Sequence, residues 1–312
     1  MRRCAVNALL LMLVCLACST RAFAQSTHLL VIVGLAGTPE HGELFKKWGT
    51  TLADTASQKL GVDKANVTLL ADAAATRDGV TKAFDALAAT AGAEDTVVIV
   101  LFGHGTFAAS VAKFNLTGPD MAPQDFAPLL AKLKSKRVVF VNTASASGPF
   151  VEGLSGPGRV IVAATRTGDE KYATLFGGPF VDAFFTEAAD ADRDGRVSIL
   201  EAFEFAKNRV AASYEKGGHL LTEHATLDDG SEGKFASTQY LAPPRSRSAE
   251  MAKADPKLRA LVEERDALDR EVAALRLKKN QMNEAEYQQQ LEKLVTDLAL
   301  KDRAIRELEA KK

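Results

Sequence analysis

Residues 96–105 read Thr96-Val-Val-Ile-Val-Leu-Phe102-Gly103-His104-Gly105. A short, continuous, β-branched apolar run is how a strand buried on both faces reads, and the Gly-His-Gly that follows ends it in a tight turn. Runs of the same kind occupy 28–34, 67–71, 137–142 and 159–164. Between them, 40–59, 77–91, 123–134 and 179–188 carry apolar residues at helical spacing. That alternation predicts an α/β three-layer sandwich with a mainly parallel sheet. Chemistry in such sheets gathers outside the carboxyl ends of the strands. The loops to read closely are therefore Gly103-His104-Gly105-Thr106 after the third strand and Thr143-Ala144-Ser145-Ala146-Ser147-Gly148 after the fourth.

A strand ending in His-Gly, followed some forty residues later by a strand ending in small residues and Ser-Gly, resembles the caspase-like and legumain-type cysteine peptidases. The resemblance covers about residues 28 to 230 and implies a caspase-like sheet. In that superfamily the His after the third strand is the general base, and the nucleophilic Cys follows the fourth strand in an Ala-Cys-x-Ser-Gly-like motif. His104-Gly105 matches the first, and Ala144-Ser145-Ala146-Ser147-Gly148 overlies the second with Ser145 at the nucleophile position. A thiol is partly ionised near neutral pH, whereas a hydroxyl needs an oriented base and oxyanion donors. The departure is thus a severe chemical change. Metacaspase-like members also carry Asp two residues before the nucleophile. Thr143 stands there in this chain, so a preference for basic substrate side chains does not carry over.

Asp190-Ala-Asp192-Arg-Asp194-Gly195-Arg196-Val-Ser198-Ile-Leu-Glu201 matches the twelve-residue calcium loop of an EF-hand. Asp190, Asp192 and Asp194 supply carboxylates and Gly195 the sharp turn. Arg196 offers its carbonyl, Ser198 a hydroxyl and Glu201 a bidentate carboxylate. Helical patterns over 180–188 and 199–214 flank it, and no second loop is visible to pair with it. The spacing predicts Ca2+ binding that fastens the last helix of the α/β domain. His219 and His224, five apart, do not share a helical face and give no zinc motif. No phosphate-loop pattern is present, so no nucleotide cofactor is expected.

The chain has 312 residues, with 39 Lys and Arg against 40 Asp and Glu and a formal charge of −1. That balance gives no basic field for nucleic acid. Arg2 and Arg3 precede an apolar run over 4–17, and Ala22-Phe23-Ala24 resembles a signal-peptidase site. We expect residues 1–24 to be a signal peptide and the protein to be exported, periplasmic or secreted, with no mature transmembrane helix. Cys18 leaves a lipid anchor open as an alternative. All three cysteines, Cys4, Cys15 and Cys18, fall within that signal, so a chain starting at Gln25 has no thiol.

The α/β domain is expected over 25–240. Residues 241–248, rich in Pro, Ser and Arg, read as a linker, and 249–312 as a coiled-coil helical hairpin. Its seams are Leu261, Leu268, Val272 and Leu275, then Tyr287, Leu291, Leu294, Leu298, Ile305 and Leu308, with one long stuttered helix as the alternative. An apolar seam of that length predicts self-association or a protein partner through 249–312. Three functional readings remain open: a silent binding or scaffold homologue with a peptide ligand at the His104/Ser145 cleft, an active endopeptidase or esterase with a Ser145/His104 dyad, and a calcium-dependent structural protein.

Overall fold

The computed structural model describes residues 25–193, 195–241, 256–277 and 282–309. The expected signal peptide, Asp194, nearly all of the linker and most of the turn expected near 278–283 lie outside the described residues. Eight strands are present among the described residues: β1 (Thr27–Val33), β2 (Val67–Leu70), β3 (Thr96–Phe102), β4 (Gly105–Ala108), β5 (Val111–Phe114), β6 (Arg137–Asn142), β7 (Arg159–Ala163) and β8 (Thr226–Asp228). Six form one sheet in the order β2-β1-β3-β6-β7-β8, parallel throughout except for the antiparallel β8. β4 and β5 make a separate antiparallel hairpin directly after His104.

The helices are α1 (Pro39–Gln58), α2 (Arg77–Thr90), α3 (Pro123–Ala131), α4 (Pro149–Leu154), α5 (Gly177–Ala183), α6 (Ile199–Lys216), α7 (Pro256–Leu277) and α8 (Glu284–Glu309). Strand residues alternate between two cores, as a period of two requires. Leu29, Val31, Val98, Val100, Val139 and Val141 face α1, α5 and α6. Leu30, Ile32, Val97, Ile99, Val138 and Phe140 face α2, α3 and α4. Both faces are therefore covered, which is the three-layer sandwich read from the sequence.

Local chemistry starts and stops the helices. Thr38 caps α1 ahead of Pro39, and Thr76 caps α2 by accepting the Gly79 N–H at 3.1 Å. Arg77 reaches from α2 to Asp125 at the start of α3 through two bonds of 2.9 and 3.0 Å.

Two helices end earlier than their periodicity suggested. After Ala131 the chain tightens into i to i+3 bonds, Lys132 to Leu129 and Leu133 to Leu130. After Ala183 the same tightening occurs at Phe184 and Phe185. Thr186 is then extended, and its hydroxyl caps a single 3-10 turn, Glu187–Ala189. The acidic loop is thus preceded by one turn, not by a helix running to 188. β2 is a second departure: as an edge strand its residues are only half-buried or exposed.

α7 and α8 lie antiparallel. Leu258 and Val262 near the start of α7 cluster with Ile305 near the end of α8, flanked by Leu261 and Leu308, and Lys301 pairs with Glu264. Asn283 caps α8 by accepting the Ala285 N–H at 2.9 Å. Among the described residues no helix is long and apolar enough to cross a membrane.

Candidate functional site

His104 leaves β3 at the carboxyl edge of the sheet. Its ring packs edge-on against two residues of α1 one turn apart, His41 (ring centroids 4.7 Å) and Phe45 (5.1 Å). Burial lowers the pKa of the imidazole below its usual 6.5, and the neighbouring His41 lowers it further, while a hydrogen bond with the Ala36 backbone works the other way. A base whose folded pKa is depressed binds its proton less readily than in the unfolded chain. Its contribution to stability is therefore whole above 6.5 and is lost as the pH falls below it.

The segment after β6 crosses over the β3 end. The Thr143 hydroxyl donates to the Leu101 carbonyl at 2.8 Å, and the Ala144 N–H donates to Asn142 Oδ1 at 3.0 Å. Ala146 adopts a left-handed φ of 55°, which side chains other than glycine rarely take, and its N–H donates to the Glu170 carbonyl at 2.8 Å. Ser147 and the Gly148 N–H both meet the Thr165 hydroxyl, at 3.2 and 3.0 Å. This segment is buried and hydrogen-bonded on each side.

Ser145 itself is 3% exposed. Its Oγ accepts the Gly105 N–H at 3.2 Å and donates to the Gly105 carbonyl at 3.1 Å. The structure thus brings Ser145 to the residue after His104, yet no hydrogen bond joins Ser145 to His104. Neither Asn142 nor Asp169 contacts the imidazole through a hydrogen bond. Asn142 uses Oδ1 on Ala144 while its buried Nδ2 has no protein partner, and Asp169 is exposed beside Lys171 at 3.5 Å.

Two carboxylates invisible to motif reading hold the far wall. Glu170 accepts the His224 N–H at 2.8 Å and the Arg166 N–H at 3.2 Å, and its other oxygen lies 3.2 Å from His224 Nδ1. Glu223, 4% exposed, accepts from Leu175 and Phe176, and burial raises its pKa above 4.5 against the pull of those amides. Glu170 and His224 are 54 residues apart, so no spacing could have signalled the pair.

The acidic loop lies at the other end of α6, whose 18 residues span about 27 Å at helical rise. Asp190, Asp192 and Glu201 place carboxylate oxygens within 4.8 Å of one another. Gly195 takes the positive φ of 83° that the turn needs, and its N–H donates to Asp190 Oδ2 at 2.9 Å. The Arg196 guanidinium stacks on the Tyr240 ring, 3.8 Å from its centre. Ser198, read as a ninth-position ligand, is 2% exposed and caps α6, exchanging hydrogen bonds with Glu201. Asp194 lies outside the described residues. Ser198 makes an isolated antiparallel β-bridge with Tyr240, and the Ile199 N–H donates to the Gln239 carbonyl at 2.8 Å. A cleft of about 760 Å³ lined by Leu60, Phe184, Phe185, Asp190 and Arg193 opens beside this loop, remote from His104 and Ser145.

A six-stranded, mostly parallel sheet with a Gly-His-Gly turn after β3 and a small-residue turn after β6 defines a caspase-like peptidase homologue. The chain belongs to the peptidase C13 family, the legumain-type branch, whose family model matches residues 47–229. Among solved structures, a protein from Geobacter sulfurreducens is similar at 13% identity with a TM-score of 0.47, covering 70% of this chain and 100% of that one. No curated protein matches the chain.

Proposed function

We propose that this chain is an exported peptidase C13 homologue that binds a polypeptide and does not cleave it. The single observation that carries the reading is the state of Ser145. Its hydroxyl donates its proton to the Gly105 carbonyl, accepts from the Gly105 N–H and has no hydrogen bond with the imidazole that would have to take its proton. A serine nucleophile needs a base within hydrogen-bond reach, because its alcohol is far less acidic than a thiol. His104, whose proton affinity is lowered by burial and by His41, packs against His41 and Phe45.

The test is hydrolysis of a mixed peptide library by the wild type, Ser145→Ala, Ser145→Cys and His104→Ala, with calcium present. The expected result is no turnover by the wild type above that of Ser145→Ala. Turnover that disappears in both alanine variants would overturn the reading and establish a Ser145/His104 hydrolase.

In the same proposal the loop at Asp190, Asp192, Asp194 and Glu201 takes Ca2+, with the Arg196 carbonyl completing the set, and the ion braces α6. The close carboxylates and the positive φ at Gly195 support it. Calcium then raises the melting temperature, and Glu201→Gln removes that rise.

Residues 249–312 serve in this reading as a coiled-coil arm for self-association or a protein partner. The Leu258, Val262 and Ile305 cluster between antiparallel helices supports it. Deleting 249–312 should lower the oligomeric mass measured by light scattering to that of one chain or abolish capture of a partner. An unchanged mass and an unchanged partner would reduce the arm to a spacer.

A further inference from the structure

We propose that the β4–β5 hairpin and the loop over 164–176 form a clasp over Ser145, locked by the Phe107 ring on Gly168, and that the clasp must open before a ligand reaches the site. The clasp governs access alone, so it operates whether Ser145 is a nucleophile or a relic. Gly105, whose backbone covers the Ser145 oxygen, is the first residue of β4. Across the sheet edge, the loop leaving β7 reaches the same segment from the other side through Ala146 and Glu170. Phe107, two residues along β4, closes the gap between them. A Cβ added at Gly168 would lie 2.6 Å from two Phe107 ring carbons, so the ring already rests against the glycine backbone. Lys171 completes the contact with its ammonium 5.6 Å from the ring centre.

The lock is weak by construction. The ribbon is anchored on one side only, with four paired residues per strand: Ala112 and Phe114 of β5 are buried in the core, whereas the residues of β4 are half-buried or exposed. Its tip, Ala109 and Ser110, is exposed and held at left-handed φ values of 48° and 62°. A half-exposed cation over a ring contributes only about 0.5–1 kcal/mol. The neighbouring parts of the loop, by contrast, are tied down by Glu170, by Thr174 on the Thr143 carbonyl and by Glu223 on Leu175. Local opening selects the least anchored unit, here β4 with the hairpin tip and residues 167–169. Because Gly105 belongs to the hairpin, a swing of β4 also removes both hydrogen bonds from the Ser145 oxygen.

The sequence supplies a direct probe, because every native cysteine lies in residues 1–24. In the full chain with Cys4, Cys15 and Cys18 changed to Ser, Ser145→Cys is the sole thiol, and its rate of alkylation by iodoacetamide reads access. Phe107→Ala, which removes the lock, and Gly168→Ala, which pushes the ring away, are each expected to speed alkylation about tenfold or more. Ala202→Cys, fully buried in α6, serves as the parallel thiol and should not respond. Equal Ser145→Cys rates with and without Phe107 would overturn the clasp. So would an equal acceleration at Ala202→Cys, which signals global unfolding. If Ser145→Cys fails to fold, amide exchange at Gly105 reads the same opening without a thiol: faster exchange in Phe107→Ala supports the clasp, and unchanged exchange overturns it.

Discussion

Gly105→Ala is expected to destabilise the protein by roughly 3 kcal/mol, the upper end for forced overpacking, and to lower the melting temperature by about 6 to 12 °C. The added methyl would fall on the Ser145 carbonyl oxygen and sit 3.2 Å from the Lys113 carbonyl. Neither obstacle is the end of a flexible side chain. Both are backbone, one fixed in β5 and the other in a segment hydrogen-bonded on each side, so the strain cannot be relieved by a rotamer change. The β3 to β4 junction and the β6 loop must separate, and with them go the two hydrogen bonds that hold the Ser145 hydroxyl. Gly118→Ala is the comparison, since that glycine has a positive φ of 92° but nothing within 4 Å of an added Cβ. Its loss is confined to backbone strain, about 1 kcal/mol. Thermal melts followed by circular dichroism separate the two. If Gly105→Ala melts no lower than Gly118→Ala, the close approach of the two loops is wrong.

The second large effect is at Glu201. One oxygen of its carboxylate accepts the N–H groups of Ala191 (2.9 Å) and Asp192 (3.2 Å), and the other accepts the N–H and hydroxyl of Ser198, both at 2.8 Å. The Ser198 half is a capping box, and the remainder knits the acidic loop to the start of α6. Replacing Glu201 by Ala should lose about 2 kcal/mol in the absence of calcium: water satisfies the exposed loop amides, but the buried Ser198 keeps no substitute partner. Bound calcium changes the comparison. At a hundredfold excess over its dissociation constant an ion stabilises the fold by about 2.7 kcal/mol, or roughly 5 to 11 °C here. Glu201→Gln preserves length and one acceptor but loses the charge and the bidentate grip, so its melting temperature should not differ between calcium and chelator. A wild type indifferent to millimolar calcium, or a Glu201→Gln variant that gains as much from calcium as the wild type, removes the ion from the proposal.

The sheet was legible because strands covered on both faces need no alternation of polarity, and the unbroken runs of β1, β3, β6 and β7 say so directly. β2 carries the same letters while lying at an edge, since the residue types that suit a buried strand also suit an edge whose exposed face is small. Helix ends were less legible. Apolar spacing continues past Ala131 and Ala183, but the chain tightens to i to i+3 bonds where Lys132 and Phe184 follow, a choice made by packing and not by periodicity. The β4–β5 hairpin had no signal at all, because Ala109-Ser110 makes a turn that Asn-Gly or Asp-Gly normally announces.

At the candidate site the division is the same. The Gly-His-Gly turn after β3 picked out His104, the family resemblance placed Ser145, and carboxylate spacing picked out the acidic loop, because each is a pattern of neighbouring residues along the chain. What Ser145 bonds to is a property of strand order: β6 lies beside β3, so a residue forty positions away presents its backbone to the hydroxyl. Likewise Glu170 meets His224 because β7 pairs with β8, and Phe107 meets Gly168 because β3 and β7 flank β6 on either side. The amino-acid sequence alone determined the segments that become β1, β2, β3, β6 and β7, where their loops fall and which side chains those loops carry. Only the tertiary structure decided which loop touches which, since that depends on burying two cores at once across the sheet and not on any local preference.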